Sequence, residues 1–499
     1  MKGKAMKPSN RIICVTILAA MLVSTAVSCG GRNPASTSAK ETEQTTAPVV
    51  TEPVEQLEVP DKTYEGYSFT YLTAGQVAYN DFDFAEDATT VLDDAQYQRK
   101  LKVEEQFDIT IEQQTELNKA GTATPGFSKF RTAYTSNEAL YDLANMGGYC
   151  VTKCMASNYL YDLNSTTNIK TAKSWWDQNA NRDLAFNGKL FFTAGELSGA
   201  RSENTFVIFY NKNLGSTKKL EAPYQLVRDG KWTLDTFSQM CLAVSEDLNG
   251  DDVKDERDRY GLYCWDDAMI GILAAAGVKC TTIDTDGVME MSLYNEASEE
   301  AFNKFTKIVF NKDFCLTYQR YSGKMNVTAN WCSDYALFWA TSNINTQMMR
   351  EMESDFSILP YPKLNEAQSR YYTTVAPYNS QFICMFTLQE DEGRTSAIAE
   401  ALAYYGQKIV TPALYDKTVK GGQIRDEDTA DMLDIIYSNY IYDIGYYFNI
   451  ASLNTSILNL LRQYDTGFAS MWAKNERAAN AQLSQYNKAM EEILANWDK

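Results

Sequence analysis

The 499-residue chain predicts an α/β protein with at least two lobes, and three observations carry that expectation. Hydrophobic residues make up 44% of the chain, more apolar material than one core uses, since single cores stop growing near ~250–300 residues. Residues 67–72 alternate as a strand, 95–107 have helical spacing and 108–112 read as a second strand. Strand, helix and strand at that separation open a mostly parallel sheet. Near the end, Ala479, Leu483, Tyr486, Met490, Ile493 and Trp497 recur at steps of four and three, the stripe of a long amphipathic helix docked on the body.

The remaining elements follow in order. Residues 141–146 form a short buried strand running into Gly147, Gly148 and Tyr149, a turn at a strand's carboxyl end. Open α/β sheets bind ligands at such ends. Residues 189–193 and 206–210 are strand-like and bracket a loop at 194–205. Thr233 is placed to cap a helix, with Asp235 in its positive first turn and Leu234, Phe237, Cys241 and Val244 on one face. Residues 260–264 read as a strand, and Ile398, Ala401, Leu402 and Tyr405 mark another helix.

Charge and missing residue types exclude several functions. The formal charge is −19, and setting aside the first 28 residues, which hold four cations and no acid, takes it to −23. Such a surface repels phosphate backbones, so nucleic acid is not an expected partner. The chain has no histidine, which removes Ser-His-Asp and Cys-His nucleophile pairs and imidazole metal sites. The first 28 residues read as an export signal: a basic start, then an apolar run at 12–27 that is short for a ~20-residue membrane span. The run closes on AVSCG at 26–30, similar to the bacterial lipobox, which makes Cys29 the expected lipid attachment point and the membrane contact. Residues 29–62, rich in Thr, Pro and Glu and without an aromatic before position 63, read as a disordered tether. Eight further cysteines, Cys150 to Cys384, are spread widely and mostly sit in apolar company, so buried thiols are expected rather than a disulfide framework.

Five segments resemble one family. NGKLFF at 187–192, VIFYNKN at 207–213, GKWTLDTF at 230–237, DYALFW at 334–339 and DFSILPYP at 355–362 are similar, in order, to segments of the extracellular solute-binding proteins, family 1, of bacterial ABC importers, the carbohydrate-binding type. The similarity spans most of 65–410; the last ninety residues carry no such motif. The resemblance implies a type II periplasmic-binding-protein fold: two α/β lobes joined by crossing strands, with C-terminal helices and a ligand trapped by hinge closure. It implies a first lobe at 63–198 and 372–412 and a second at 199–360 and 413–499. It also implies a carbohydrate ligand, ABC permease subunits as partners, no catalytic cofactor, and a place on the outer face of a cell membrane, of the Gram-positive kind.

A sugar cleft needs aromatic plates for C–H faces beside fixed polar groups for hydroxyls. Tyr149, Trp175, Trp176, Glu196, Arg201, Trp265, Asp266, Trp339, Tyr378 and Asn379 are the candidates, chosen because they fall in loops, at strand ends or at expected crossings. Of the adjacent tryptophans, one is expected to be exposed or bound. The stretch DLNGDDVKDERD at 247–258 places Asp247, Asn249, Asp251, Val253 (through its carbonyl), Asp255 and Asp258 at the spacing of an EF-hand-like calcium loop. It departs from that loop in lacking glycine at Asp252 and in ending on Asp. A structural calcium ion is expected there, because the clustered carboxylates repel one another. Three other functions stay open: a glycosidase working with two carboxylates, a peptide-binding protein, and an adhesive or glycan-capturing surface lipoprotein.

Overall fold

The computed structural model describes residues 55–77, 79–84, 90–117, 124, 126–342, 352–414 and 427–497. The export segment, Cys29 and the tether up to residue 54 lie outside these. Residues 55–62, expected within the tether, instead lie against the body. Leu57 and Val59 pack on the core around Phe107, the Glu55 carboxylate accepts the Ser174 amide (2.9 Å), and Glu58 pairs with Lys173 (2.9 Å). Two apolar side chains in this short run supply the contact that the Thr- and Pro-rich stretch before it cannot.

Two sheets form the two lobes. In the first, β1 (Tyr67–Gly75) lies parallel to β2 (Ile109–Leu117) and β3 (Leu143–Gly147), and the order is β11-β3-β1-β2, with β11 (Gln381–Met385) antiparallel to β3. The expected strand–helix–strand opening is present. The helix Val91–Phe107 starts where the Thr90 hydroxyl accepts the Asp93 amide (3.1 Å) and ends at Asp108 in the left-handed region. In the second sheet the order is β10-β4-β9-β5-β8, built from β4 (Phe206–Asn211), β5 (Tyr260–Cys264), β8 (Cys315–Thr317), β9 (Ala336–Ser342) and β10 (Phe356–Leu359). Strands β5, β8 and β9 run parallel, and β4 runs antiparallel to both β9 and β10. A small hairpin, β6 (Thr281–Ile283) and β7 (Met289–Met291), stands apart. Residues 189–193, expected as a strand, make only single bridges (Phe186 with Lys189, Thr193 with Ile383), because the chain turns at Asn187 and Gly188, both at positive φ.

Four of the five segments that carried the resemblance are neighbours in the second lobe, and NGKLFF lies in the first, beside β11. β4 pairs with β9 and β10, which joins VIFYNKN to DYALFW and DFSILPYP. The Trp232 indole donates to the Pro360 carbonyl (2.9 Å), and the Leu234 amide donates to Lys363 (2.9 Å), which binds the GKWTLDTF helix start to the end of DFSILPYP. Thr233 caps the helix Leu234–Val244 as expected, accepting the Thr236 amide, and the four expected apolar residues are buried.

Three chain segments cross between the lobes and hydrogen-bond to one another. The Phe206 amide donates to Thr374, Ala376 to Asn204, Thr373 to Asn439 and Ile441 to Thr373. The C-terminal helices touch both lobes. The short helix Ile444–Phe448 packs on the first-lobe helix Gly148–Ala156, where the Thr152 hydroxyl donates to the Tyr447 carbonyl (3.1 Å). The helix Phe468–Trp497 stacks Phe468 on Phe302 of the second lobe and brackets β7 through Asn487. One apolar core therefore runs from Met146 and Phe382 through Tyr447 and Leu461 to Leu273 and Phe302. The eight cysteines from Cys150 to Cys384 are free thiols, all buried except the half-buried Cys332. Among the described residues no helix is long and apolar enough to cross a membrane.

Candidate ligand cleft

Carboxyl ends of the parallel strands from the two lobes meet near the crossing segments. On the first-lobe side, β3 delivers the chain into Gly147 and Gly148, and the helix Gly148–Ala156 begins at once. A Cβ at Gly148 would lie 2.7 Å from the Ser380 hydroxyl and 2.8 Å from the Tyr447 ring, so glycine is what lets the helix start so close to a crossing loop. This places Tyr149 at the helix start. Burial pushes its hydroxyl up to about 12, against the donor Asn454, whose Nδ2 gives it a hydrogen bond of 3.0 Å. Tyr378, 49% exposed, and Asp267 lie close enough to Tyr149 to add to that shift.

On the second-lobe side, β5 ends at Cys264 and runs into Trp265, Asp266 and Asp267 before the helix Ala268–Ala275. Trp265 is half-buried, 5.9 Å from Phe206 between ring centroids. Asp266 is paired by Arg462, whose Nε and Nη2 reach one carboxylate oxygen at 2.8 and 2.7 Å. Asp267 is 5% exposed, and among the described residues nothing hydrogen-bonds to its carboxylate. Burial first, and then the Asp266 charge, push its pKa up to about 7, with Arg462 opposing. Of the expected set, Tyr149 and Tyr378 lie within electrostatic range of each other and of Asp267, the residue that follows Trp265 and Asp266, and half-buried Asn379 is in the turn beside Tyr378.

The others are elsewhere. Trp175 and Trp176 are both buried in the first lobe, contrary to the expectation that one is exposed. Glu400, buried on the helix Glu392–Tyr405, accepts an indole N–H from each, at 3.0 and 2.8 Å. The backbone there is a turn that ends where the Asp177 carboxylate caps the helix Gln178–Asp183, so adjacent rings can share one polar anchor. Trp339 is core of the second lobe, with ring centroids 6.1 Å from Phe209 and 6.2 Å from Trp331, because β9 is a central strand covered on both faces. Glu196 and Arg201 sit at the crossing segments. Arg201 pairs with Glu196 (2.6 Å) and Asp177 (2.7 Å), and Asp177 also accepts the Tyr442 hydroxyl (2.8 Å). Both are thus paired within the chain at the crossing segments. Sequence reasoning missed Asp267, Asn454 and Arg462. The first stands next to a chosen residue, and the other two lie in the C-terminal stretch, where only an isolated Asn and Arg on the helix Leu453–Gln463 marks them.

In the acidic loop the side chains turn onto the loop itself. Asp247 accepts the Gly250 and Asp252 amides (2.7 and 2.9 Å), Asn249 the Asp251 amide (3.0 Å), Asp251 the Val253 amide (2.9 Å) and Asp258 the Leu248 and Asp255 amides (3.0 and 2.9 Å). Arg257 pairs with Asp251 and Asp255. The repulsion that motivated calcium is thus relieved within the chain by amides and a guanidinium. Among the described residues no group of three or more Cys, Asp or Glu side chains is gathered as a metal site.

No family model matches the chain, and no curated protein matches it in sequence. Solved structures do match in shape. An ABC substrate-binding protein of Listeria monocytogenes solved with cycloalternan is 14% identical, with a TM-score of 0.53 over 85% of this chain and 99% of that one. The sugar-binding protein MalE of Xanthomonas citri is 10% identical, at 0.55 over 87% and 99%. The cyclic alpha-maltosyl-1,6-maltose binding protein of Arthrobacter globiformis is 13% identical, at 0.53 over 86% and 100%. The two α/β sheets, the crossing segments and these neighbours together identify the fold as that of the substrate-binding proteins of ABC transporters.

Proposed function

We propose that the protein is a lipid-anchored extracellular receptor that captures a carbohydrate, an oligosaccharide, between its lobes and delivers it to an ABC permease without transforming it. The observation that supports this most is a fold shared with proteins whose names record sugar ligands, in which Tyr149 and Tyr378 lie near Asp267 at the end of the strand that carries Trp265 and Asp266, aromatic rings near carboxylates. The test is thermal unfolding of the chain from residue 55 onward against a panel of oligosaccharides. A ligand at ~100 times its Kd adds about 2.7 kcal/mol of stability. A midpoint shift for one sugar and not its isomers, with that sugar recovered intact, supports the receptor. A sugar that stabilises and is then cleaved makes the protein a glycosidase, and silence across the panel removes the carbohydrate assignment. Anchoring through Cys29 predicts loss of membrane retention in Cys29→Ser. A calcium ion on Asp247, Asn249, Asp251, Val253, Asp255 and Asp258 is a separate proposal, supported by their spacing alone. A higher unfolding midpoint in millimolar calcium than in chelator supports it, and an unchanged midpoint removes it.

A further inference from the structure

Within the cleft the two walls differ in hydrogen-bonding character. The first-lobe wall offers the Tyr149 and Tyr378 rings. The second-lobe wall carries two buried carboxylates and one guanidinium, and that guanidinium is spent on Asp266. Asp267, 5% exposed, has no cationic or hydrogen-bonding partner of its own among the described residues. Three groups nearby add to the imbalance. Asn454, buried, uses its Nδ2 on the Tyr149 hydroxyl and the Tyr446 carbonyl, and its Oδ1 has no partner. The Tyr361 hydroxyl, buried and within the field of Asp267, has none either. Tyr149 already accepts from Asn454, so its own O–H is its remaining donor.

A buried carboxylate without a cation is costly, and it is relieved by a charged donor more than by a neutral one. An ammonium group supplies three N–H donors and no acceptor, which matches an unpaired carboxylate and an unpaired amide oxygen. Resting on the carbohydrate reading above, we infer that the ligand is an amino sugar or an oligosaccharide of amino sugars, whose free amine is received by Asp267 with Asn454 beside it.

The experiment measures binding by calorimetry at pH 7.5 for the glucosamine trimer, the N-acetylglucosamine trimer, and the α- and β-1,4 glucose trimers. The expected result is that the free-amine trimer binds at least about tenfold more tightly than any of the other three. Asp267→Asn, close in shape to the native residue, then abolishes that preference while the unfolding midpoint of the free protein is retained or raised. If a neutral trimer binds as tightly as the amine, the inference fails and the carbohydrate receptor stands. Should the amine preference persist in Asp267→Asn with the fold intact, Asp267 is not the recognising group and the inference also fails. If no trimer binds, and the wider sugar panel is silent too, both fall.

Discussion

Two clusters in this protein have the same composition, one arginine between two carboxylates, and opposite outcomes. At the hinge, Arg201 reaches Asp177 at 2.7 Å and Glu196 at 2.6 Å, Thr411 donates to the second oxygen of Glu196, and Tyr442 donates to Asp177. In the cleft, Arg462 gives two of its nitrogens to one oxygen of Asp266 and acts on Asp267 only from a distance. Burial penalises charge in both places. The crossing segments place enough donors to hold their charges in one geometry, whereas Asp267, among the described residues, has no hydrogen bond to its carboxylate. Charged residues in a loop thus do not mark a binding site by themselves, because the fold can pair them internally.

Substitutions can break this comparison. The largest effect is expected for Arg201→Met, which leaves two carboxylates facing each other at the crossing strands. A loss of about 3–5 kcal/mol in unfolding free energy, measured by denaturant titration, is expected. Asp267→Asn should act in the opposite direction. Because the folded acidity of Asp267 lies at about 7, above its ordinary value of 3.8, its contribution to stability is full below pH 4 and is lost as pH rises through 7. The variant should match the native protein near pH 4 and exceed it by something on the order of 2–4 kcal/mol at pH 8, with no ligand present. Trp176→Phe removes one donor from the buried Glu400 and should cost about 1–3 kcal/mol while leaving sugar affinity unchanged. Any loss of affinity there would return the tryptophan pair to the cleft. Glu58→Ala cuts an ion pair whose carboxylate is mostly in solvent, and a change below about 1 kcal/mol is expected. That pair sets the exposed baseline against which the two arginine clusters are judged.

Much of the fold was legible in the sequence because periodicity and capping are local. The alternation at the start of β1, the stripe from Ala479 to Ile493 and the Thr233 cap all describe contacts made within a few residues of themselves. Of the candidate site, Tyr149 after β3 and Trp265 and Asp266 after β5 were marked by sitting at a strand's end. Trp175 and Trp176 misled because their partner, Glu400, is more than two hundred residues away. Glu196 and Arg201 are held through Asp177, 24 residues before Arg201, which in turn accepts from Tyr442, 265 residues beyond it. Asn454 and Arg462 had no signal, since the helix Leu453–Gln463 reads as an ordinary amphipathic segment.

By itself the sequence determined the α/β class, the order of the elements, the exclusion of histidine chemistry and a strongly acidic body. These depend on composition and on spacing along the chain. Tertiary structure alone decided which polar residues are spent and which are left over. That follows from long-range pairing, because a carboxylate's role is set by the donors the fold brings within about 3 Å of it, and those donors come from segments hundreds of residues apart.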